Sequence, residues 1–154
     1  MQTVSYSRRM VVGLALGGYL LAGAVGTPLA AADLAFKVIA HPELTESSID
    51  RATLSAVFLK KAARWGDGTS AQPVDQSTQS PVRLAFTERV HGRPLAAVMK
   101  FWMRQIADGQ GVPPPVKESE ADIIAYVASK KGAVGYVAAA TPLPESVKVL
   151  QVKD

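Results

Sequence analysis

Short apolar runs and amphipathic stretches take turns along this chain, and their periods predict its elements. "LAFKVIAHP" is a continuous apolar run closed by a proline, which predicts a strand over residues 35–40. From Asp50 onward Leu54, Val57 and Phe58 fall at helical spacing, so a first helix is expected over 50–63, capped by Ser48 or Asp50. "GDG" marks a turn before a short strand over 71–74. A second helix starts at Ser80, with Leu84, Ala85 and Val90 as inward positions, and "HGRP" breaks it at Gly92. Pro81 suits the first helical position, where the N–H that it lacks would find no partner anyway. Pro94 opens a third helix, whose Leu95, Val98, Met99, Trp102 and Ile106 form the cleanest apolar stripe in the chain. "DGQGVPPPV" reads as an extended loop through its prolines. A fourth helix is expected over 119–130, with Ser119 and Asp122 as a capping box and Ile123, Ile124 and Val127 on its buried face. "KKGAVGYVAAA" and "VKVLQV" read as strands. Strands separated by helices argue for an α/β domain, a mostly parallel sheet with helices on both faces.

The first residues follow another pattern. Arg8 and Arg9 precede an apolar run from Met10 to about Val25, and Ala30, Ala31 and Ala32 stand before Asp33. A basic start, an apolar middle and a small-residue site make residues 1–32 an expected cleaved export signal. The run is short of the roughly 20 residues that span a bilayer, so no stable membrane span is expected after cleavage. A periplasmic location follows, by the general (Sec) or the twin-arginine (Tat) route, since "SRRMVV" half-matches the latter. What remains, residues 33–154, is the size of one domain.

Composition narrows the chemistry. The chain has no cysteine, so packing alone must hold an exported domain, and thiolate metal sites are excluded. His41 and His91 lie far apart in sequence, which argues against histidine-bound zinc. Without Arg8 and Arg9, 15 basic residues face 13 acidic ones, interspersed along the chain. That mixture reads as a solvated surface, and with few aromatics to stack on bases, nucleic acid is not an expected partner. No nucleophile elbow, phosphate-binding P-loop or metal-ligand cluster occurs, so no enzyme is expected. His91 precedes a glycine at a helix end, where an imidazolium meets the helix dipole favourably. His41 follows the first strand, a position where ligand sites occur in open α/β sheets. Trp65 and Trp102 read as packing residues.

"DQSTQSPVRLAF", residues 75–86, is the candidate site. A helix N-terminus offers unpaired N–H groups and partial positive charge, and so attracts anions. Ser77, Thr78 and Ser80 would add hydroxyls, and Arg83 a fork for an oxyanion. The same spacing fits a plain Ser80 cap with Arg83 in solvent, and spacing alone favours that plainer reading.

The order of blocks carries a resemblance. "LSAVFLKKAARWGDGTSAQPVDQ", the serine-led helix with "RLAF", "FWMRQIADGQGVPPP" and "KKGAVGYVA" resemble the type II periplasmic binding proteins. Within these the chain is similar to the short phosphate ABC transporter substrate-binding-like proteins, over residues 36–138. Val57, Phe58, Leu59, Lys60, Trp65, Asp67 and Gly68 match one family block in order, and Gly132 to Val137 match its glycine-led turn and strand. The resemblance implies one PBP-like lobe that takes up phosphate or a similar oxyanion without a cofactor. It also implies an ABC permease or another envelope protein as partner. In full-length phosphate binders the second helix begins Ser-Gly-Thr. Aligned on Phe86, Ser80, Pro81 and Val82 take those places, so one hydroxyl remains, Pro81 lacks the amide and Val82 the second hydroxyl. Those two departures raise an alternative: a protein-interaction or sensor-accessory module that has lost ligand binding.

Overall fold

The structure, a computed structural model, describes residues 35–154; the expected export signal lies outside them. Its centre is the first apolar run, strand β1 (Phe36–Ala40). Strand β2 (Ser48–Asp50) leads directly into helix α1 (Arg51–Phe58). Two short strands, β3 (Gln72–Pro73) and β4 (Asp75–Gln76), then precede helices α2 (Pro81–His91) and α3 (Leu95–Ala107). Strand β5 (Val116–Lys117), helix α4 (Glu120–Ser129) and strands β6 (Ala133–Ala138) and β7 (Lys148–Lys153) complete the chain.

Five strands form one sheet in the order β2-β7-β1-β6-β3, and β4 and β5 pair in a separate parallel ribbon. The sheet is mixed rather than mostly parallel. β1 is antiparallel to both neighbours, Val38 facing Tyr136 on β6 and Leu150 on β7, while the outer pairs β2/β7 and β3/β6 are parallel. The cause lies in the helix-free connection 41–47, across which β1 runs opposite to β2, β7, β6 and β3, four strands that share one direction. A helical crossover returns the chain parallel to its start, whereas a bare loop is free to reverse it. Helices do cover both faces. Val38 and Ala40 of β1 and Val134 and Tyr136 of β6 meet Leu54, Val57 and Phe58 of α1 and Val82, Phe86 and Val90 of α2. The alternate residues Ile39, Ala133 and Val137 meet Ile123 and Val127 of α4. This is period-two alternation with both sides buried.

Helix ends obey local chemistry. Ser80 and Ser119 cap α2 and α4 through the N–H groups of Arg83 and Asp122, and Gly92 closes α2 in the left-handed conformation. α1 stops at Phe58, five residues before the expected end, and Lys60 takes a left-handed φ of 54°. That conformation breaks the i to i−4 ladder. β6 needs its glycine for space: a Cβ on Gly135 would sit 2.9 Å from both Ile123 Cγ2 and Val74 Cγ1. The absent side chain is what lets α4 lie directly on the strand.

The apolar side of α3 is only partly covered. Val98 and Trp102 are buried, but Met99, Met103 and Ile106 are 39, 68 and 53% exposed. Half the apolar stripe packs on its neighbours and half faces out.

Candidate functional site

The segment singled out in the sequence folds as β4, a turn and the start of α2. Ser80 is the N-cap of α2, and its hydroxyl donates to Oε1 of Gln76 at 2.6 Å. Pro81 follows at the first helical position, so that residue offers no N–H. Arg83 does not point to solvent; it is 3% exposed. Its Nη2 lies 2.9 Å from Oδ2 of Asp75, and its Nη1 donates to the carbonyl of Gln76. The fork expected to clasp an oxyanion therefore clasps a carboxylate of the chain's own β4.

Asp75 and Gln76 are tied in turn to the sheet. The Tyr136 hydroxyl donates to Oδ1 of Asp75, and Gln76 Nε2 donates to the Tyr136 carbonyl at 2.8 Å. The Phe86 ring, one turn along α2 from Arg83, stacks on Tyr136 with centroids 3.8 Å apart and planes within 5°. Burial pushes the Asp75 carboxyl above its usual range, against the opposing pull of Arg83 and the Tyr136 hydrogen bond. Burial first, then the adjacent carboxylate, raises the Tyr136 phenol well above its ordinary value. The cluster is thus a neutral proton donor, a carboxylate and a guanidinium, closed on one another.

The remaining predicted site residues lie outside this closed set. The Ser77 N–H donates to the carbonyl of Lys117 on β5 at 3.2 Å, and the Ser77 carbonyl accepts from Ser80. Thr78 is exposed. Thr78 and Arg83 also line an apolar cavity of about 140 Å³ shared with Met99, Trp102 and Met103. Arg83 keeps one feature unexplained: its Nε is the only buried side-chain donor or acceptor without a hydrogen-bond partner among the described residues. Sequence reasoning missed Asp75, Gln76 and Tyr136. The available signal was Tyr136 in an otherwise apolar strand, because a buried tyrosine hydroxyl requires a partner.

The histidines are both engaged. His91 Nδ1 lies 2.8 Å from Ser55 Oγ. Burial, with the charges of Arg83 and Arg93, lowers its pKa to about 4, so at neutral pH it is uncharged and brings no imidazolium to the end of α2. His41 Nδ1 accepts from the N–H of Glu43 at 3.2 Å. Among the described residues no group of three potential metal-binding side chains occurs, and no helix is long and apolar enough to cross a membrane.

A mixed sheet with helices on both faces, and with a helix N-terminus beside a buried ion pair, makes this a mixed α/β domain. The chain shares that fold with phosphate transport receptors of known structure. A protein from Clostridium perfringens described as a phosphate ABC transporter substrate-binding protein, with bound phosphate, superposes with a TM-score of 0.61 at 17% identity over 77% of this chain and 45% of its own. An ABC-type phosphate transport receptor from Vibrio cholerae gives 0.61 at 15% identity, covering 77% of this chain and 46% of that one. PstS from Borrelia burgdorferi gives 0.55 at 14% identity, covering 77% and 47%. This chain spans less than half the length of each. No family model matches the sequence, and no curated protein does.

Proposed function

We propose that the chain is an exported, non-enzymatic binding module of the solute-binding type, whose ligand is a protein partner rather than free phosphate. The observation that carries this is the Asp75–Arg83 pair at 2.9 Å. A phosphate dianion entering at the start of α2 would meet a carboxylate already holding the guanidinium. Like charges brought together at low dielectric repel strongly, and each lost hydrogen bond to a charged group costs about 1.5–3 kcal/mol. Pro81 supplies no amide there, and the cap hydroxyl of Ser80 is already engaged with Gln76.

Oxyanion capture is the second reading, with Ser77, Thr78, Ser80 and Arg83 as its residues and an ABC permease as the receiver. What favours it is the fold shared with a protein that has bound phosphate, together with the exposed hydroxyl of Thr78 at the mouth of α2. Calorimetric titration of the purified protein with phosphate, and with sulfate as control, separates the readings. The expected result is no saturable heat from a folded sample. One-site heat that vanishes in Ser77→Ala/Thr78→Ala would establish the anion cradle and overturn the partner reading.

A further inference from the structure

The outward half of α3 takes no part in the site described above. Met99, Met103 and Ile106 fall at i, i+4 and i+7, one stripe of a helix. Val116 of β5, 46% exposed, lines the same cavity as these three residues. Scattered apolar residues on a surface are ordinary, but a contiguous patch marks a contact site. This patch is also concave. Its cavity of about 140 Å³ lies between α3, Pro113 and the start of α2. A closed apolar cavity of roughly 150 Å³ accommodates a benzene-sized group, so this one has room for a single leucine, methionine or phenylalanine side chain. Met99 and Met103 form part of the wall, and unbranched thioethers re-pack readily around an incoming group.

Two further observations specify what enters. First, the rim is basic. Lys100 and Arg104 are exposed on α3, which carries no acidic residue, and Lys60 Nζ sits 3.3 Å from the carbonyl of Pro113. Second, Arg83 is part of the cavity wall, and its Nε–H, covered in this structure, lacks an acceptor. A buried unpaired donor costs about 1–3 kcal/mol, which an incoming carbonyl recovers.

We infer that this face docks a segment of a partner protein that seats one large apolar side chain in the cavity, flanks it with aspartate or glutamate, and offers a backbone carbonyl to Arg83 Nε. The inference rests on the partner reading above and names the surface and its chemistry. A flat lipid surface would meet the methionines but would not enter the cavity or reach the covered Arg83 Nε–H in its wall. One central apolar anchor with a charged rim is the usual distribution of binding energy in such contacts.

The test is selection of phage-displayed random dodecapeptides against the purified full chain. The expected winners carry leucine, methionine or phenylalanine between acidic residues. Affinity of a winning peptide falls about tenfold or more in Met103→Glu and several-fold in Arg104→Glu, with circular dichroism unchanged. Adding the peptide moves the Arg83 Nε–H signal in the NMR spectrum. Winners without acidic residues, or no winners at all, overturn the inference. So does co-sedimentation with phosphatidylglycerol vesicles that Met103→Glu abolishes, which would assign the face to a membrane. Peptide binding insensitive to Met103→Glu refutes this surface but leaves the partner reading standing, whereas one-site phosphate heat refutes that reading itself.

Discussion

At the scale of single residues, the decisive fact is that Arg83 has an internal partner. A buried ion pair contributes little net stability, but removing one member leaves an uncompensated charge. The tyrosine offers a gentler probe. Tyr136→Phe deletes only the hydroxyl that donates to Asp75. Stability is expected to fall by about 1–3 kcal/mol, read as a lower urea midpoint at unchanged slope. His91 makes a second prediction. Its folded pKa of about 4 lies below the ordinary 6.5, so its contribution is fully present above pH 6.5 and is lost as pH falls toward 4. Over that window the unfolded chain binds the extra proton, giving a slope of up to about 1.4 kcal/mol per pH unit. Urea titrations across pH 4–7 should show that slope in the wild type and a shallower one in His91→Gln. His91 was legible in the sequence as a helix-end residue, but its neutral state was not, because burial and the charge of Arg83 arise only on folding.

At the scale of elements, capping and spacing were readable and contact was not. Ser80, Pro81 and Gly92 bound α2 as expected because the groups that satisfy a helix end lie within a few residues of it. The apolar stripe of α3 was legible but its coverage was not, because periodicity reports an apolar face without saying what covers it. β4 and β5 were missed altogether, since a two-residue strand has no period and Asp75 pairs with Val116 across a long stretch of chain. Gly135 carries the element-scale prediction. Gly135→Ala places a methyl 2.9 Å from Ile123 and Val74 and forces α4 away from β6. The expected cost is about 1–3 kcal/mol, with loss of protection from hydrogen exchange concentrated in α4 and β6.

At the scale of the whole molecule, the sequence by itself determined the α/β class, the helices on both faces and part of each core, Leu54, Val57 and Phe58 on one side and Ile123 and Val127 on the other, because these follow from local periods and local turn chemistry. It also marked the start of α2 as the chemical focus, through serines, a proline and an arginine within a few positions. Tertiary structure alone decided strand direction, since loop 41–47 reverses the chain with no helix to hold it parallel, while loop 139–147, also without a helix, carries the chain past β1 and leaves β7 parallel to β6. It decided as well that Arg83 faces Asp75 and that Met103 faces outward. Both are encounters between distant segments, and their energies depend on burial and on charges that local sequence does not contain.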